Sequence, residues 1–105
     1  MAERFQQSVG EWSARTFPCS GPIVAMSHLR EEVAELEAAI LEGNGIAEEL
    51  ADCYLLLCVL GHQLGFSLRK EAARKYAEIS TAEWYFDEER GHHRRVKEES
   101  EISHA

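Results

Sequence analysis

Hydrophobic residues along the chain recur every three or four positions, a spacing that indicates helices and leaves almost no signal for strands. Residues 2–14 predict a first helix, whose apolar side is formed by Phe5, Val9 and Trp12. Two prolines and a glycine fall within residues 16–22, so this segment predicts an ordered loop. The second predicted helix covers residues 23–42. Its apolar stripe advances by four, three and four residues through Leu29, Val33, Leu36 and Ile40.

The third predicted helix, residues 46–64, is apolar around most of its circumference. One side carries Ile46, Leu50, Cys53, Leu57, Leu60 and Leu64. The far side carries Leu55, Leu56, Cys58 and Val59. A helix that is apolar on most sides is buried on most sides. Only Gly43, Asn44 and Gly45 separate this helix from the second one, and so short a turn predicts an antiparallel helix hairpin.

Beyond the hairpin, the sequence predicts two shorter helices. Ser67 is a suitable N-cap for a fourth helix that runs to residue 77. Residues 80–86 predict a short fifth helix, which holds Trp84, Tyr85 and Phe86. No internal repeat accompanies these elements, so the sequence favours one bundle of unlike helices.

The end of the chain is nearly all charged from Asp87 onward, which predicts a solvated tail with a disordered end. The length of 105 residues fits a single domain. We therefore expect an all-α helical bundle over residues 1–90, built around the antiparallel hairpin. A charged C-terminal tail over residues 91–105 would follow it.

The apolar surface of the third predicted helix exceeds what one short chain can cover. Apolar residues lie on opposite sides of this helix, and too few partner helices are available to bury both sides. Two hairpins related by a two-fold axis would complete a four-helix core. We therefore expect a homo-oligomer with a dimer as its minimum.

The composition argues against several classes of protein. The formal net charge of −8 argues against a nucleic acid polymer as partner, because such binding needs a basic surface. No run of about 18 apolar residues occurs, so we expect no transmembrane helix and no membrane partner. The N-terminus lacks the basic and apolar regions of a signal peptide. The three cysteines are an odd number and favour free thiols in a reducing, cytoplasmic compartment.

Two pairs of acidic residues lie beside the apolar seam of the predicted hairpin. Glu32 and Glu35 are three residues apart and share a helix face, as do Glu49 and Asp52. Counted from the turn at about 1.5 Å per residue, Glu35 and Asp52 lie at nearly the same depth. The four carboxylates therefore fall in one zone of the hairpin.

Four like charges in one apolar zone repel one another strongly. Cations between them relieve this repulsion, and carboxylate oxygens suit Mg²⁺ or Mn²⁺. The alternative is a set of surface glutamates on amphipathic helices, which predicts lysine or arginine four residues further along. Those positions hold Leu36, Ala39, Cys53 and Leu56. The pattern therefore favours a metal site.

Three residues upstream of the acids are candidates for contact with a substrate. Trp12 and Phe17 suit stacking on a base, a role that aromatic side chains play in single-stranded nucleic-acid sites. Packing of these two side chains against the hairpin is an equal alternative. His28 lies one turn before Glu32, where it is placed to touch substrate or metal, but a structural hydrogen bond explains it as well.

The acidic pairs and their surroundings resemble a known family. Glu31-Glu32-Val33-Ala34-Glu35, followed after thirteen residues by Glu49-Leu50-Ala51-Asp52, is similar to the EExxE…ExxD signature of MazG-like all-α nucleoside triphosphate pyrophosphohydrolases. The upstream residues resemble the phage and prophage dATP/dGTP diphosphohydrolase branch. They comprise Trp12, the Thr16-Phe17-Pro18 loop and His28-Leu29-Arg30-Glu31-Glu32.

The resemblance implies a Mg²⁺-dependent enzyme, with Mn²⁺ as an expected substitute, that cleaves a nucleoside triphosphate between its α- and β-phosphates. The products would be a nucleoside monophosphate and pyrophosphate, and purine deoxynucleotides would be the preferred substrates. It further implies a set of four metal ligands, Glu32, Glu35, Glu49 and Asp52. Glu31 would position or deprotonate the attacking water.

The same branch carries a Lys…Asn…Arg…Trp pattern on a later helix, and this chain matches it in part. Lys75 and Trp84 have the expected separation, whereas Ile79 and Ala82 stand in place of asparagine and arginine. The resemblance therefore implies Lys75 as a substrate contact. Arg74 is one candidate to replace the missing contacts. Arg94, Arg95 and Lys97 are others, although an ordinary solvated charge run explains these three as well.

The resemblance also implies a homodimer or homotetramer in the cytoplasm of a bacterium or phage-infected host. Two other classes of function stay open at the level of sequence. One is a catalytically weak helical protein that binds a nucleotide or metal ion, and the other is a purely structural helical dimer. Neither would release pyrophosphate, which distinguishes both from the enzyme.

Overall fold

The computed structural model describes residues 3–97, which divide into two compact units at Glu71 and Ala72. The first unit contains three long helices, α1 (Arg4–Thr16), α2 (Pro22–Glu42) and α3 (Ile46–Leu64). The next helix begins in the first unit and ends in the second, and it is α4 (Leu68–Ile79). The second unit continues with two strands, β1 (Trp84–Asp87) and β2 (His92–Arg95).

Local sequence explains where the long helices begin and end. The Glu3 carboxylate accepts hydrogen bonds from the amides of Phe5 and Gln6 at 3.0 and 2.8 Å, which lower the pKa of Glu3 and cap α1. Between α2 and α3, Gly43 and Gly45 have φ angles of 73° and 72°. Glycine adopts this left-handed conformation without steric cost, so the chain reverses within three residues.

Helix α3 contacts both α1 and α2, and the small core of the first unit lies around it. The buried apolar residues are Ala25, Leu29, Ala39, Cys53, Cys58 and Val59. All three cysteines are free thiols, and the two on α3 are buried. The predicted hairpin of the second and third helices is therefore confirmed, and α3 has the bounds that the sequence predicts.

Helices α1 and α3 approach closely because glycines lie at two points of their contact. A Cβ atom added at Gly10 would lie only 2.1 Å from Cγ of His62. A Cβ atom added at Gly61 would lie 2.9 Å from Nε2 of Gln6. Gln6 is buried, donates a hydrogen bond to the carbonyl of Phe66 and accepts one from the amide of Leu68 at 2.7 Å. Gln6 therefore holds the segment between α3 and α4 against α1.

The fourth predicted helix is confirmed as α4, and its predicted cap is present. The hydroxyl of Ser67 accepts a hydrogen bond from the amide of Lys70 at 3.3 Å. The predicted fifth helix is wrong, because its aromatic residues form β1, which pairs antiparallel with β2. Three consecutive aromatic residues favour a strand when a partner strand is available.

The turn between the two strands explains why the hairpin forms where a solvated tail is expected. The Asp87 side chain accepts a hydrogen bond from the amide of Arg90 at 3.1 Å, and its carbonyl accepts one from the amide of Gly91 at 2.8 Å. Gly91 has a φ angle of 72°, which suits the last position of such a turn. Residues 92–95 of the predicted tail therefore form a strand that is largely exposed, as expected of a solvated segment. The predicted disordered end lies outside the described residues.

The prediction that the third helix is buried on most sides is wrong for the single chain. Cys53, Cys58 and Val59 are buried, but Leu50 and Leu64 are 53% and 54% exposed. Among residues 3–97, no single helix is long and apolar enough to cross a membrane.

We expect Gly10→Ala to lower the free energy of unfolding. The new methyl group must displace the His62 ring, and overpacking of this kind costs about 1–3 kcal/mol. That cost opposes the gain of about 1 kcal/mol that alanine brings to a helix interior. Urea denaturation of the parent, Gly10→Ala, His62→Ala and the double variant measures the coupling. If Gly10→Ala had the same effect with and without His62, the contact would not be the cause.

Candidate metal centre and adjoining cavity

Three carboxylates from the two helices of the hairpin converge at one place. Glu32 on α2 and Glu49 and Asp52 on α3 each present an oxygen, and these atoms all lie within 4.8 Å of one another. The three-residue spacing puts Glu49 and Asp52 on one face of α3. The short glycine turn then brings Glu32 opposite them. We call these three residues the carboxylate cluster.

Two oxygens of the carboxylate cluster are buried without a hydrogen-bond partner in the described part of the chain, Oε2 of Glu32 and Oε2 of Glu49. A buried carboxylate oxygen without a partner is costly. Burial raises the pKa of both side chains, and the charge of the exposed Glu35 beside them raises it further. A divalent cation would satisfy the oxygens and offset the repulsion. An all-oxygen donor set of this kind fits Mg²⁺ or Mn²⁺.

The remaining two predicted acids lie outside the carboxylate cluster. Glu35 is exposed, and its proximity to Glu32 contributes to the raised pKa of Glu32. Glu31 is exposed. The sequence therefore placed the four ligand candidates in one neighbourhood, but only three of their carboxylates converge.

Cys53 lies directly behind the carboxylate cluster. It follows Asp52 on α3, and only 8% of its surface is exposed. Burial raises the pKa of the Cys53 thiol, and the negative charges of Glu32, Glu49 and Asp52 raise it further. The thiol is therefore held in its protonated form.

His28 contacts the carboxylate cluster through Glu32. Its Nε2 lies 3.2 Å from Oε1 of Glu32, one helical turn further along α2. This hydrogen bond lowers the pKa of Glu32 and so opposes the larger effect of burial. The structural hydrogen bond expected for His28 is present, and the same side chain also lines the adjoining cavity.

A cavity of about 710 Å³ adjoins the carboxylate cluster and includes Glu32 and Asp52 in its wall. This volume falls in the range of small-molecule sites. Most of the remaining wall is apolar, with contributions from Val9, Val24, Ala25, Leu55, Leu56 and Val59. The cavity therefore joins a strongly acidic end to an apolar space.

Trp12 and Phe17 line the same cavity and contact each other. Their rings meet edge to face, with centroids 5.6 Å apart and planes at 90°. Both side chains are about half exposed, at 51% and 50%. The loop that carries Phe17 is held by Gln63, whose Nε2 donates a hydrogen bond to the carbonyl of Ser20 at 3.2 Å. The two aromatic rings thus pack together while keeping surface available to a ligand.

The structure brings most of the predicted site residues together. Five of them line one cavity, namely Trp12, Phe17, His28, Glu32 and Asp52. Glu49 joins them through the carboxylate cluster. Lys75 lies in the second unit, where its Nζ is 3.8 Å from a carboxylate oxygen of Glu78. Glu78 also accepts a hydrogen bond from Arg95 at 3.0 Å, and these cations lower the pKa of Glu78.

Sequence reasoning missed three serines that line the cavity, Ser8, Ser13 and Ser20. A signal for two of them was present. Residues 8, 9, 12 and 13 have the spacing of one helix face, and Trp12 had already been identified as a candidate contact. Serine on that face is polar where its neighbours are apolar, which distinguishes it from an ordinary packing position.

Residues 5–102 match the family described as dATP/dGTP pyrophosphohydrolase. Among solved structures, the chain is similar to a MazG-like pyrophosphohydrolase of cyanophage S-2L, which was solved bound to dGDP and three catalytic Mn²⁺ ions per active site. The TM-score is 0.72 at 24% identity, over 88% of this chain and 93% of that chain. This likeness establishes the all-α MazG-like fold. No match was found among curated proteins.

We expect the metal-free protein to lose stability as pH rises through the raised pKa values of Glu32 and Glu49. The folded state binds more protons than the unfolded state in that range, so its stability is greatest below the ordinary glutamate pKa. Glu49→Gln should therefore raise Tm near neutral pH by a few degrees, and much less near pH 4. Mg²⁺ should raise Tm of the parent more than that of the variant.

Thermal melts at both pH values, with EDTA or MgCl₂, measure these shifts. Glu48→Gln is the matched control, because Glu48 is an exposed neighbour on the same turn of α3. Equal changes of Tm in Glu49→Gln and Glu48→Gln would show that removing any negative charge from this turn raises stability. Such a result would contradict repulsion within the carboxylate cluster as the cause.

Proposed function

Since the chain belongs to the dATP/dGTP pyrophosphohydrolase family, we propose that it hydrolyses purine deoxynucleoside triphosphates at the carboxylate cluster. Membership makes the protein a nucleoside triphosphate pyrophosphohydrolase, an enzyme that releases a nucleoside monophosphate and pyrophosphate. The observation that carries the proposal is the convergence of Glu32, Glu49 and Asp52 beside a cavity of about 710 Å³. This arrangement offers a metal site for phosphates and an apolar space for a nucleoside.

We propose that Glu32, Glu49 and Asp52 hold divalent cations, with Glu35 as a further ligand. The unpaired buried oxygens of Glu32 and Glu49 support this assignment, and so does the Mn²⁺ bound by the similar cyanophage protein. Glu35 lies one turn after Glu32 on α2 and contributes to the raised pKa of Glu32 and Glu49, which supports the role of Glu35. Bound Mg²⁺, or Mn²⁺ in its place, would polarise phosphate oxygens and lower the pKa of a bound water.

The side chains around the cluster have separate proposed roles in the reaction. His28 orients Glu32 through their 3.2 Å hydrogen bond, which keeps one carboxylate oxygen fixed in direction. Glu31 adjoins Glu32 in sequence and is exposed, so we assign it to positioning or deprotonating the attacking water. Lys75 is the proposed phosphate contact. Lys75 pairs with the half-exposed Glu78, and an ion pair of this kind adds little to stability. The Lys75 ammonium could therefore leave Glu78 for a phosphate at little cost in free energy.

The carboxylates contact only phosphates through metal ions, so selection of the base must come from the rest of the cavity. Trp12 and Phe17 offer aromatic surface there, and a two-ring purine gains more from such contact than a pyrimidine. The dGDP bound by the cyanophage protein supports the same preference. We also propose that the protein acts in the cytoplasm of a bacterium or phage-infected host, and the phage source of the similar protein supports such a host.

We also propose that the protein is an obligate homo-oligomer, either a dimer or a tetramer. The hairpin presents an exposed apolar stripe with a spacing of seven residues, and it comprises Val33, Ile40, Leu50, Leu57 and Leu64. Within the described chain α3 packs against α1 and α2, and the residues of this stripe stay exposed. A second hairpin would cover it and complete a four-helix bundle by a two-fold axis.

We expect Asp52→Asn, Glu49→Gln and Glu35→Gln each to lower kcat by roughly a hundredfold or more, because charge stabilisation by a metal is worth several kcal/mol. Helical circular dichroism should be retained. The assay follows pyrophosphate and monophosphate from dATP, dGTP, dCTP and dTTP with Mg²⁺. The exposed Glu48→Gln variant should keep the parent rate. Near-parent rates in Asp52→Asn and Glu49→Gln would exclude the cluster as the site, and release of orthophosphate would show cleavage of a different bond.

The oligomer is tested by the mass in solution at micromolar concentration, measured by light scattering. We expect a dimer or larger for the parent and a smaller particle or an unfolded chain for Leu57→Lys, since Leu57 lies at the middle of the stripe on α3. Leu41→Lys is the matched control, because Leu41 is 82% exposed and lies off the seven-residue spacing. A stable folded monomer of the parent would contradict the proposal.

A further inference from the structure

Ser13 places a polar group in the apolar wall of the cavity. Only two polar residues are buried among residues 3–97, Gln6 and Ser13, and Ser13 is 7% exposed. The Gln6 side chain is bonded to the backbone of Phe66 and Leu68. Ser13 uses its main-chain carbonyl to accept a hydrogen bond from the amide of Phe17 at 2.8 Å. The side chain of Ser13 carries a hydroxyl, and Ser13 is one of the residues that line the cavity.

The apolar walls of the cavity lead away from the carboxylate cluster. Ala25 lies seven residues before Glu32 on α2, and Val59 lies seven residues after Asp52 on α3. At 1.5 Å per residue, each wall extends about 10 Å from the acids, away from the glycine turn. A nucleotide with its phosphates at the acids therefore directs its sugar and base along these walls, where residues of α1 also line the space.

We propose that the Ser13 hydroxyl recognises the substituent at position 6 of a purine base, an inference that rests on the proposed function. A hydroxyl both donates and accepts hydrogen bonds. Adenine presents an amino donor at position 6, and guanine presents an oxygen acceptor at the same place. Rotation of one hydroxyl satisfies either base. A single buried serine therefore suits an enzyme for both dATP and dGTP, whereas a fixed donor or a fixed acceptor favours one of them.

The other polar side chains in the wall are less suited to this role. Ser8 is exposed, and Ser20 belongs to the loop that Gln63 holds. His28 is engaged by Glu32. A hydrogen bond to Ser13 is withdrawn from water and so discriminates more strongly between partners.

The first test uses the unmodified protein and a substrate without the substituent. The values of kcat/KM are measured for dATP, dGTP and the 5′-triphosphate of 2′-deoxyribosylpurine, which carries hydrogen at position 6. We expect the analogue to react about tenfold more slowly, the scale of one buried hydrogen bond. Equal values for the analogue and dATP would overturn the proposal.

The second test removes the hydroxyl. Ser13→Ala should lower kcat/KM for dATP and dGTP by about tenfold. It should leave the values for the analogue and for dCTP unchanged, since neither offers a group that reaches Ser13. An equal loss for dATP and the analogue would indicate a structural role, and unchanged values for dATP and dGTP would exclude any role.

Two further variants separate recognition of the substituent from general effects on the cavity. Ser8→Ala should keep the ratio of dATP to analogue at its parent value, because Ser8 lines the same cavity but is exposed. Trp12→Ala should raise KM for dATP and the analogue alike, because stacking depends on the rings and not on the substituent. A ratio that collapses in Ser8→Ala as it does in Ser13→Ala would overturn the assignment.

Failure of the proposed function is recognised separately. It would appear as an absence of pyrophosphate release by the unmodified protein from every triphosphate. The same comparison is then made by calorimetric binding of dADP, dGDP and the diphosphate analogue in the presence of Mn²⁺. Tenfold weaker binding of the analogue than of dADP by the parent protein, together with equal binding of the two by Ser13→Ala, supports the role of Ser13. Equal binding of all three overturns it.

Discussion

Electrostatic repulsion among Glu32, Glu49 and Asp52 opposes closure of the helix hairpin on which the fold is built. Their oxygens lie within 4.8 Å of one another, and two of those oxygens are buried without a partner in the described chain. The rest of the first unit must hold α2 and α3 together against this repulsion. A divalent cation converts the repulsion into attraction, so metal binding and folding stability are coupled.

The contacts that oppose the repulsion are few and local. The buried apolar set is small, and its largest side chain is Leu29. Close approach of α1 to α3 therefore matters, and it depends on glycines at positions 10 and 61 together with the buried Gln6. Uncovered leucines on α3 indicate where further apolar contact is available to a second copy of the chain.

The hairpin and its acids could be predicted from sequence because both depend on local spacing. Periodicity fixes which residues share a helix face, and a three-residue turn with two glycines fixes how the two faces meet. The resemblance to MazG-like pyrophosphohydrolases, which the family match confirms, rested on the same residues. The spacing did not resolve that Glu35 would be exposed beside the cluster, since neighbouring positions of one face differ in depth.

The strands at the end of the second unit could not be predicted in this way. Trp84, Tyr85 and Phe86 have no helical or strand periodicity of their own, and the partner strand is made of histidine and arginine. Such a pair is stabilised by cross-strand contacts that a local pattern does not contain, including the edge-to-face contact of Phe86 with His93 at 5.2 Å. Ser13 shares a helix face with Trp12, which the spacing alone indicates, but the fold was needed to show that this face borders a cavity.

The protonated thiol of Cys53 has a consequence for the choice of metal. Thiolates are the ligands that attract soft cations such as Zn²⁺ or Cu⁺, and a raised thiol pKa makes the loss of the proton that such binding requires less favourable. Burial raises the pKa of the Cys53 thiol, and the charges of the three acids raise it further, so the neighbouring sulfur stays neutral. The same suppression slows oxidation of that sulfur, because peroxides attack the thiolate. The raised pKa of Cys53 therefore keeps the reactive thiolate scarce beside a site for hard cations.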